Sequence, residues 1–247
     1  MLASFLMAAG MTAASAESAA PKAAGKGPAG GATVASADNE GRLSAAQLAI
    51  TPIGALAASG DIAGLERALA HGLDAGLTVS QTREILVQVY AYAGFPRSLN
   101  ALNTLMTVLE ARKQRGIVDP EGVAPTALPT NADLTAMGTD TQTKLVGAPV
   151  KGPLFEFAPA IDHYLKAHLF GAIFARDNLD WRSRELATVG MLSGLTGVES
   201  QLSSHIRISL NTGLTAAQLG QLPGALQAQG AAQAAERLEA ALAKDAR

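Results

Sequence analysis

Chemistry in this chain begins with its histidines, because there are four of them and no cysteine. His205 stands out. Its imidazole titrates near neutrality, so it can give or take a proton in the physiological range. Helical spacing sets it beside the apolar stripe Leu202, Ile206 and Leu210, at the edge of a core. Gln201 and Ser209 fall one turn before and after it, so the three residues form a short polar strip. The bland alternative is a histidine hydrogen-bonded at a helix interface for packing alone. Arg207 has the planar fork that grips a carboxylate with paired hydrogen bonds. Two residues along a helix differ by about 200° in direction, so Arg207 and His205 cannot line one pocket from one helix. An interface ion pair is the plainer role for Arg207. Trp181 and Phe170 could wall a pocket or simply fill a core.

Other chemistry is disfavoured. His163 and His168 lie about 140° apart around a helix, so they make no chelating pair, and His71 is isolated. No metal and no cofactor is implied. Without cysteine the chain can form neither disulfides nor thiolate metal sites, and it can do no thiol redox chemistry. There is no phosphate-cradling glycine loop, no Ser-His-Asp arrangement and no basic-aromatic interleaving. A formal net charge of -2, with no long run of one sign, argues against a nucleic-acid partner.

The elements that position these residues are helices. Of 247 residues 48% are hydrophobic and only 4% aromatic, and 51 are alanine, which together favour closely packed helices over sheets. The fold class expected is all-α. Residues 1–16 are an apolar block ending in Ala14-Ser15-Ala16. They read as a signal peptide, although no Lys or Arg precedes the apolar run. Export to the periplasm is therefore expected, without stable membrane insertion, because the block is too short to span a bilayer. Residues 17–42, made of Ala, Gly, Ser, Pro and Lys, read as a disordered linker.

Residues 43–115 should form four helices. Ser44 with Gln47 and Thr78 with Gln81 are capping boxes, Asp61 opens a helix that runs through Leu65 and Leu69 towards Gly76, and Gly94-Phe95-Pro96 is a break. The fourth helix should bury Leu99, Leu102, Met106 and Leu109 and end in a solvated basic stretch at Arg112. Residues 116–154, with Pro120, Pro125, Pro129 and Pro149, form a long connector whose path is not specified. Helices resume from Ala158 to Arg176 and again from Asp180. Within residues 155–247, Gly197, Leu202 and Gly213-Leu214-Thr215 repeat Gly60, Leu65 and Gly76-Leu77-Thr78 at a constant offset, and Thr215 with Gln218 repeats the capping box. A tandem duplication is expected. Pro223 falls where the first copy has an unbroken helix.

These residues resemble the carboxymuconolactone decarboxylase family. Gly76-Leu77-Thr78, Arg83-Glu84-Ile85-Leu86-Val87-Gln88, Tyr90-Ala91-Tyr92-Ala93-Gly94-Phe95-Pro96 and Leu99-Asn100-Ala101-Leu102 resemble its C-terminal half. Arg184-Glu185-Leu186-Ala187-Thr188, Gln201-Leu202, His205-Ile206-Arg207 and Leu210-Asn211-Thr212-Gly213-Leu214-Thr215 resemble its N-terminal half. Phe170-Gly171-Ala172-Ile173-Phe174 with Arg176 is similar to the lead-in helix. The resemblance implies an alkylhydroperoxidase-D-like helical bundle and a homo-oligomer, with a trimer of two-repeat chains favoured. It also implies that Glu185 packs near His205 and could orient it or share its proton; otherwise Glu185 is a solvated first-turn glutamate. Arg83 and Glu84 would be structural, pairing across the assembly.

Two departures narrow the activity. The peroxidase branch of the family places a Cys-x-x-Cys pair before the histidine, and here Val198 and Gln201 stand near those positions, so only the family label points to a peroxiredoxin. Gln201 also replaces a common Glu, Ala172 a common acidic residue, and Ala68 occupies the histidine position of the first copy. The expected function is a cofactor-free lyase or isomerase acting on a small carboxylated lactone or related acid. His205 and Glu185 would be catalytic, and Arg207, Gln201, Ser209 and Trp181 would bind substrate. The alternative is a non-catalytic exported oligomer that binds a small acid or serves as a scaffold.

Overall fold

A computed structural model describes residues 41–245, so the signal and linker expectations for residues 1–40 lie outside the described residues. The described residues are mainly helical and include no strand. Two helices buried on nearly every side form the centre: α1 (Ala45–Ser59) and α7 (Trp181–Gly194). Both capping signals hold, with Ser44 and Gln47 capping reciprocally and Asp180 accepting the Ser183 N–H at 2.7 Å. Glycine permits the close crossing. A Cβ on Gly190 would lie 2.2 Å from the Thr51 carbonyl oxygen, and one on Gly194 would lie 2.4 Å from that of Ala55. The Thr51 hydroxyl donates across the crossing to the Leu186 carbonyl at 3.1 Å.

Around this pair pack α2 (Ile62–Asp74), α3 (Val79–Gln114) and α8 (Glu199–Asn211). Asp61 caps α2, and Thr78 and Gln81 box the start of α3. The expected break in α3 is present at Gly94, whose φ of 82° and ψ of 164° are costly for any residue with a side chain. The second copy diverges as its sequence suggests. After the Thr215–Gln218 box, α9 (Ala216–Leu219) is one turn long, and Pro223 sits at the start of α10 (Leu222–Ala228). The chain then closes through a last helix over Ala232–Asp245.

Three readings change. First, the connector is not featureless: it contains α4 (Leu134–Val146), capped by Asp133 and ended by Gly147 in the left-handed region. Further upstream, the Pro120 and Glu121 carbonyls accept the Val79 and Ser80 N–H groups, satisfying open donors at the start of α3. Second, the helix expected from Ala158 is α5 (Pro153–Phe157), α6 (Pro159–His163) and then a ten-residue π-helix, Tyr164–Ile173. This π-helix crosses α4 closely, because a Cβ on Gly171 would reach within 2.1 Å of the Leu134 carbonyl oxygen. Together they build a second core from Leu145, Phe170, Ile173, Phe174 and Ile208.

Third, the stripe expected to bury α3 beyond the kink is only half on the core: Leu102 and Leu109 pack partly buried against it, but their companions do not. Leu99 and Met106 are exposed, while Ala101, Leu105, Val108 and Arg112 are buried. Arg112 is not a solvated end. It is 4% exposed, with Nε donating to both Asp119 carboxylate oxygens at 3.0 and 2.9 Å and Nη2 reaching Asp74 at 2.9 Å. The stripe failed because this segment carries apolar residues on two faces, and periodicity alone cannot say which one meets the core.

Candidate functional site

Successive residues on a helix point about 100° apart. Because α7 is surrounded, Arg184 and Glu185 therefore meet different neighbours. Glu185 faces α8, where its Oε2 lies 2.8 Å from His205 Nδ1. Glu185 is wholly buried and His205 is 8% exposed. Glu185 is the fifth residue of α7 rather than a solvated first-turn glutamate. An ionised carboxylate can only accept, so Nδ1 is the donor and Nε2 is the ring atom left for chemistry. Among the described residues no hydrogen bond to Nε2 is present, and Glu185 Oε1 is buried without a partner. The Ser209 hydroxyl donates to the His205 carbonyl at 2.7 Å, so it braces the helical turn. The Tyr92 ring stands edge-on to the imidazole, 5.7 Å between centroids and 79° between planes.

Arg184 faces α3 and belongs to a buried polar chain. Its Nη2 donates to Glu84 at 2.9 Å, and its Nη1 to the side-chain amide oxygen Oε1 of Gln88 at 3.1 Å. Arg176 clamps the same Glu84 with Nε at 2.9 and 3.0 Å from the two oxygens, and Asn178 adds an amide donor at 3.2 Å. Gln88 donates to the Thr188 hydroxyl at 2.8 Å, and Thr188 reaches the Tyr92 hydroxyl at 3.4 Å. Burial alone would push the Glu84 carboxyl up. The hydrogen bonds and charges of Arg176 and Arg184 outweigh it and hold the group below its ordinary value. Burial pulls the Arg184 guanidinium down, against the opposing pull of Glu84. Burial, and then the charge of Glu185, push the Tyr92 phenol far up, so it stays protonated.

The structure thus brings Glu185, His205 and Ser209 together. It leaves Gln201 and Arg207 on the exposed face of α8, where Gln201 accepts from Ser200 at 2.9 Å and Arg207 donates to Ser204 at 3.2 Å. Leu210, expected in the buried stripe, is exposed as well. Trp181 is half-buried against the second core, its indole N–H donating to the Phe174 carbonyl at 3.2 Å. Arg83 pairs with Glu121 at the surface, while Glu84 is bound within the chain rather than across an assembly.

Sequence reasoning missed Tyr92, Gln88 and Thr188. A signal was present: Glu84, Gln88 and Tyr92 recur every fourth residue on α3, and Arg184 and Thr188 do so on α7, so each set shares one helix face.

An all-helical bundle with a buried carboxylate–imidazole pair defines the class. Within it, residues 159–244 match the Carboxymuconolactone decarboxylase family. The match contains α7, α8 and hence both Glu185 and His205. No curated protein matches the chain.

Proposed function

We propose that the protein is a cofactor-free acid/base enzyme acting on a small carboxylated lactone or related acid, with His205 as the proton-transfer group and Glu185 as its orienting partner. One observation carries this reading: the 2.8 Å contact between Glu185 Oε2 and His205 Nδ1 in a buried setting, with Nε2 unused by the described residues. In a decarboxylation, the bond from the ring carbon to its carboxylate breaks and carbon dioxide leaves. The electron pair passes into the conjugated lactone carbonyl, and the carbon then takes a proton from Nε2. Solvent restores that proton. Glu185 orients the ring through Nδ1, and Tyr92, held as a neutral phenol, closes one side of it.

The duplication belongs to the same reading. Gly60 and Gly197 both have φ of 77°, Gly76 and Gly213 have φ of 100° and 93°, and α2 and α8 are each thirteen residues long at the sequence offset. Ala68, buried where the second copy has His205, would leave the first copy without a site of its own. Assembly into a homo-oligomer, a trimer by preference, would cover the exposed Leu99 and Met106 of α3. Periplasmic export completes the reading. Among the described residues no helix is long and apolar enough to cross a membrane.

The test is turnover. Purified protein is incubated with a panel of carboxylated lactones, and loss of substrate is followed by NMR beside His205→Ala. A positioned acid/base group contributes about 10²–10⁴-fold, so the variant should slow by that factor with its helix content intact. Equal rates would end the acid/base reading. Saturable binding without turnover by the unmodified protein would establish the binding-protein alternative instead.

A further inference from the structure

A concavity lies beside α8, and His205 is not among its lining residues. It is a slot of about 100 Å³ between the start of α8, the end of α7 and the last helix. Leu192, Leu195 and Leu202 contribute apolar surface, and Ala241 lines it from the last helix. The charged groups are Arg237, Lys244 and Glu199. Their spacing along the last helix explains the arrangement: positions 237, 241 and 244 fall on one face, so one stripe supplies both cations and the apolar surface between them.

The three charges are not equivalent. Glu199 turns back on the start of its own helix, where its carboxylate accepts the Gly197 N–H at 3.1 Å. The backbone N–H groups of Glu199 and Gly197, and then the charges of Lys244 and Arg237, hold its carboxyl below the ordinary range. One carboxylate against two cations leaves one positive charge uncompensated at the slot. Arg237 is the better-placed cation. Its Nε donates to the Ser193 carbonyl at the end of α7, at 2.7 Å, which fixes the guanidinium plane. Among the described residues its two Nη groups have no hydrogen-bond partner. Ser203 adds a polar group to the lining.

We infer that this slot is a binding site for a short aliphatic monocarboxylate, the carboxylate held on the Arg237 Nη fork and the hydrocarbon laid on Leu192, Leu195 and Leu202. A guanidinium already anchored through Nε presents its remaining donors in the bidentate geometry that suits a carboxylate. Size sets the chain length. A cavity of about 150 Å³ holds benzene and a water occupies about 30 Å³, so this slot accepts roughly three to four carbons beyond the head group. Butyrate and pentanoate fit, whereas long-chain fatty acids do not. The inference is independent of the His205 chemistry, because the two sites share no residue.

The test is an NMR titration of the uniformly ¹⁵N-labelled full chain with sodium butyrate, with sodium chloride at equal ionic strength and with 1-butanol as the uncharged analogue. Saturable shifts confined to residues 192–203 and 237–244 are expected, with 1-butanol weaker by about tenfold or more. Arg237→Gln should weaken butyrate by a similar factor. Because that change also touches the α7 terminus, Ala240→Leu serves as the second variant: it narrows the slot from an exposed position and should abolish the shifts while leaving Arg237 in place. The inference is overturned by shifts that fail to saturate up to about 50 mM, by shifts centred on His205, or by equal binding of butyrate and 1-butanol.

Discussion

Replacing Glu84 with Gln keeps the shape of the side chain and removes the one negative charge between two arginines. In the structure its carboxylate accepts from Arg176 on both oxygens, from Arg184 and from Asn178. A glutamine offers one acceptor oxygen and turns an NH₂ group towards donors that were satisfied. Arg184 is wholly buried and cannot recover water, so its stranded charge dominates the cost. The Arg176 side chain is 37% exposed, so its share is discounted for screening. Breaking a buried pair by removing one partner costs about 3–5 kcal/mol, and after that discount about 3–4 kcal/mol is expected. For a protein of this size that lowers Tm by roughly 6–16 °C. Glu121→Gln, which removes the exposed partner of Arg83, should cost about 0.5 kcal/mol or less. Urea unfolding followed by circular dichroism measures both. The pH dependence adds a sign. The folded Glu84 carboxyl lies below its ordinary 4.5, so its contribution is fully present above pH 4.5 and is lost as pH falls through the folded value. The gap between wild type and Glu84→Gln should therefore narrow in acid. A loss of less than about 1 kcal/mol at neutral pH would refute the claim that this cluster ties α3 to α7.

Three further outcomes follow from the packing. Gly190→Ala would place its Cβ 2.2 Å from the Thr51 carbonyl oxygen, a backbone atom that cannot swing aside, and should cost about 1–3 kcal/mol in thermal unfolding despite the better helix propensity of alanine. Gly224→Ala, with open space at its Cβ, should be neutral or gain up to about 1 kcal/mol by the same measurement. Leu99→Glu with Met106→Glu puts charge at two exposed apolar positions of α3 and should dissociate the proposed oligomer in light scattering, an idea that fails if the unmodified protein is itself monomeric.

The helices were legible because their ends are written locally. Ser44, Asp61, Thr78, Asp180 and Thr215 each cap from their own position, and Gly94 breaks α3 where its sequence says it must. His205 was legible because a histidine beside an apolar stripe is conspicuous. Its partner came only through the resemblance, since Glu185 lies twenty residues away on another helix. The exposure of Leu99 and Met106, the pairing of Arg112 with Asp74 and the contribution of Tyr92 depend on contacts between separate helices, which helical spacing does not encode. α4 could have been found from Asp133 and Gly147, but the prolines around it disguised a short helix as loop.

The proposed chemistry requires Glu185 to hold His205 so that Nε2 is the atom that exchanges protons. Long-range ¹H–¹⁵N NMR reads this directly in mildly alkaline buffer, with four histidines to assign and His205→Ala to identify the signal. The neutral ring should carry its proton on Nδ1, with Nε2 unprotonated, and Glu185→Leu should release that preference. A His205 ring protonated on Nε2, or one indifferent to Glu185, would contradict it.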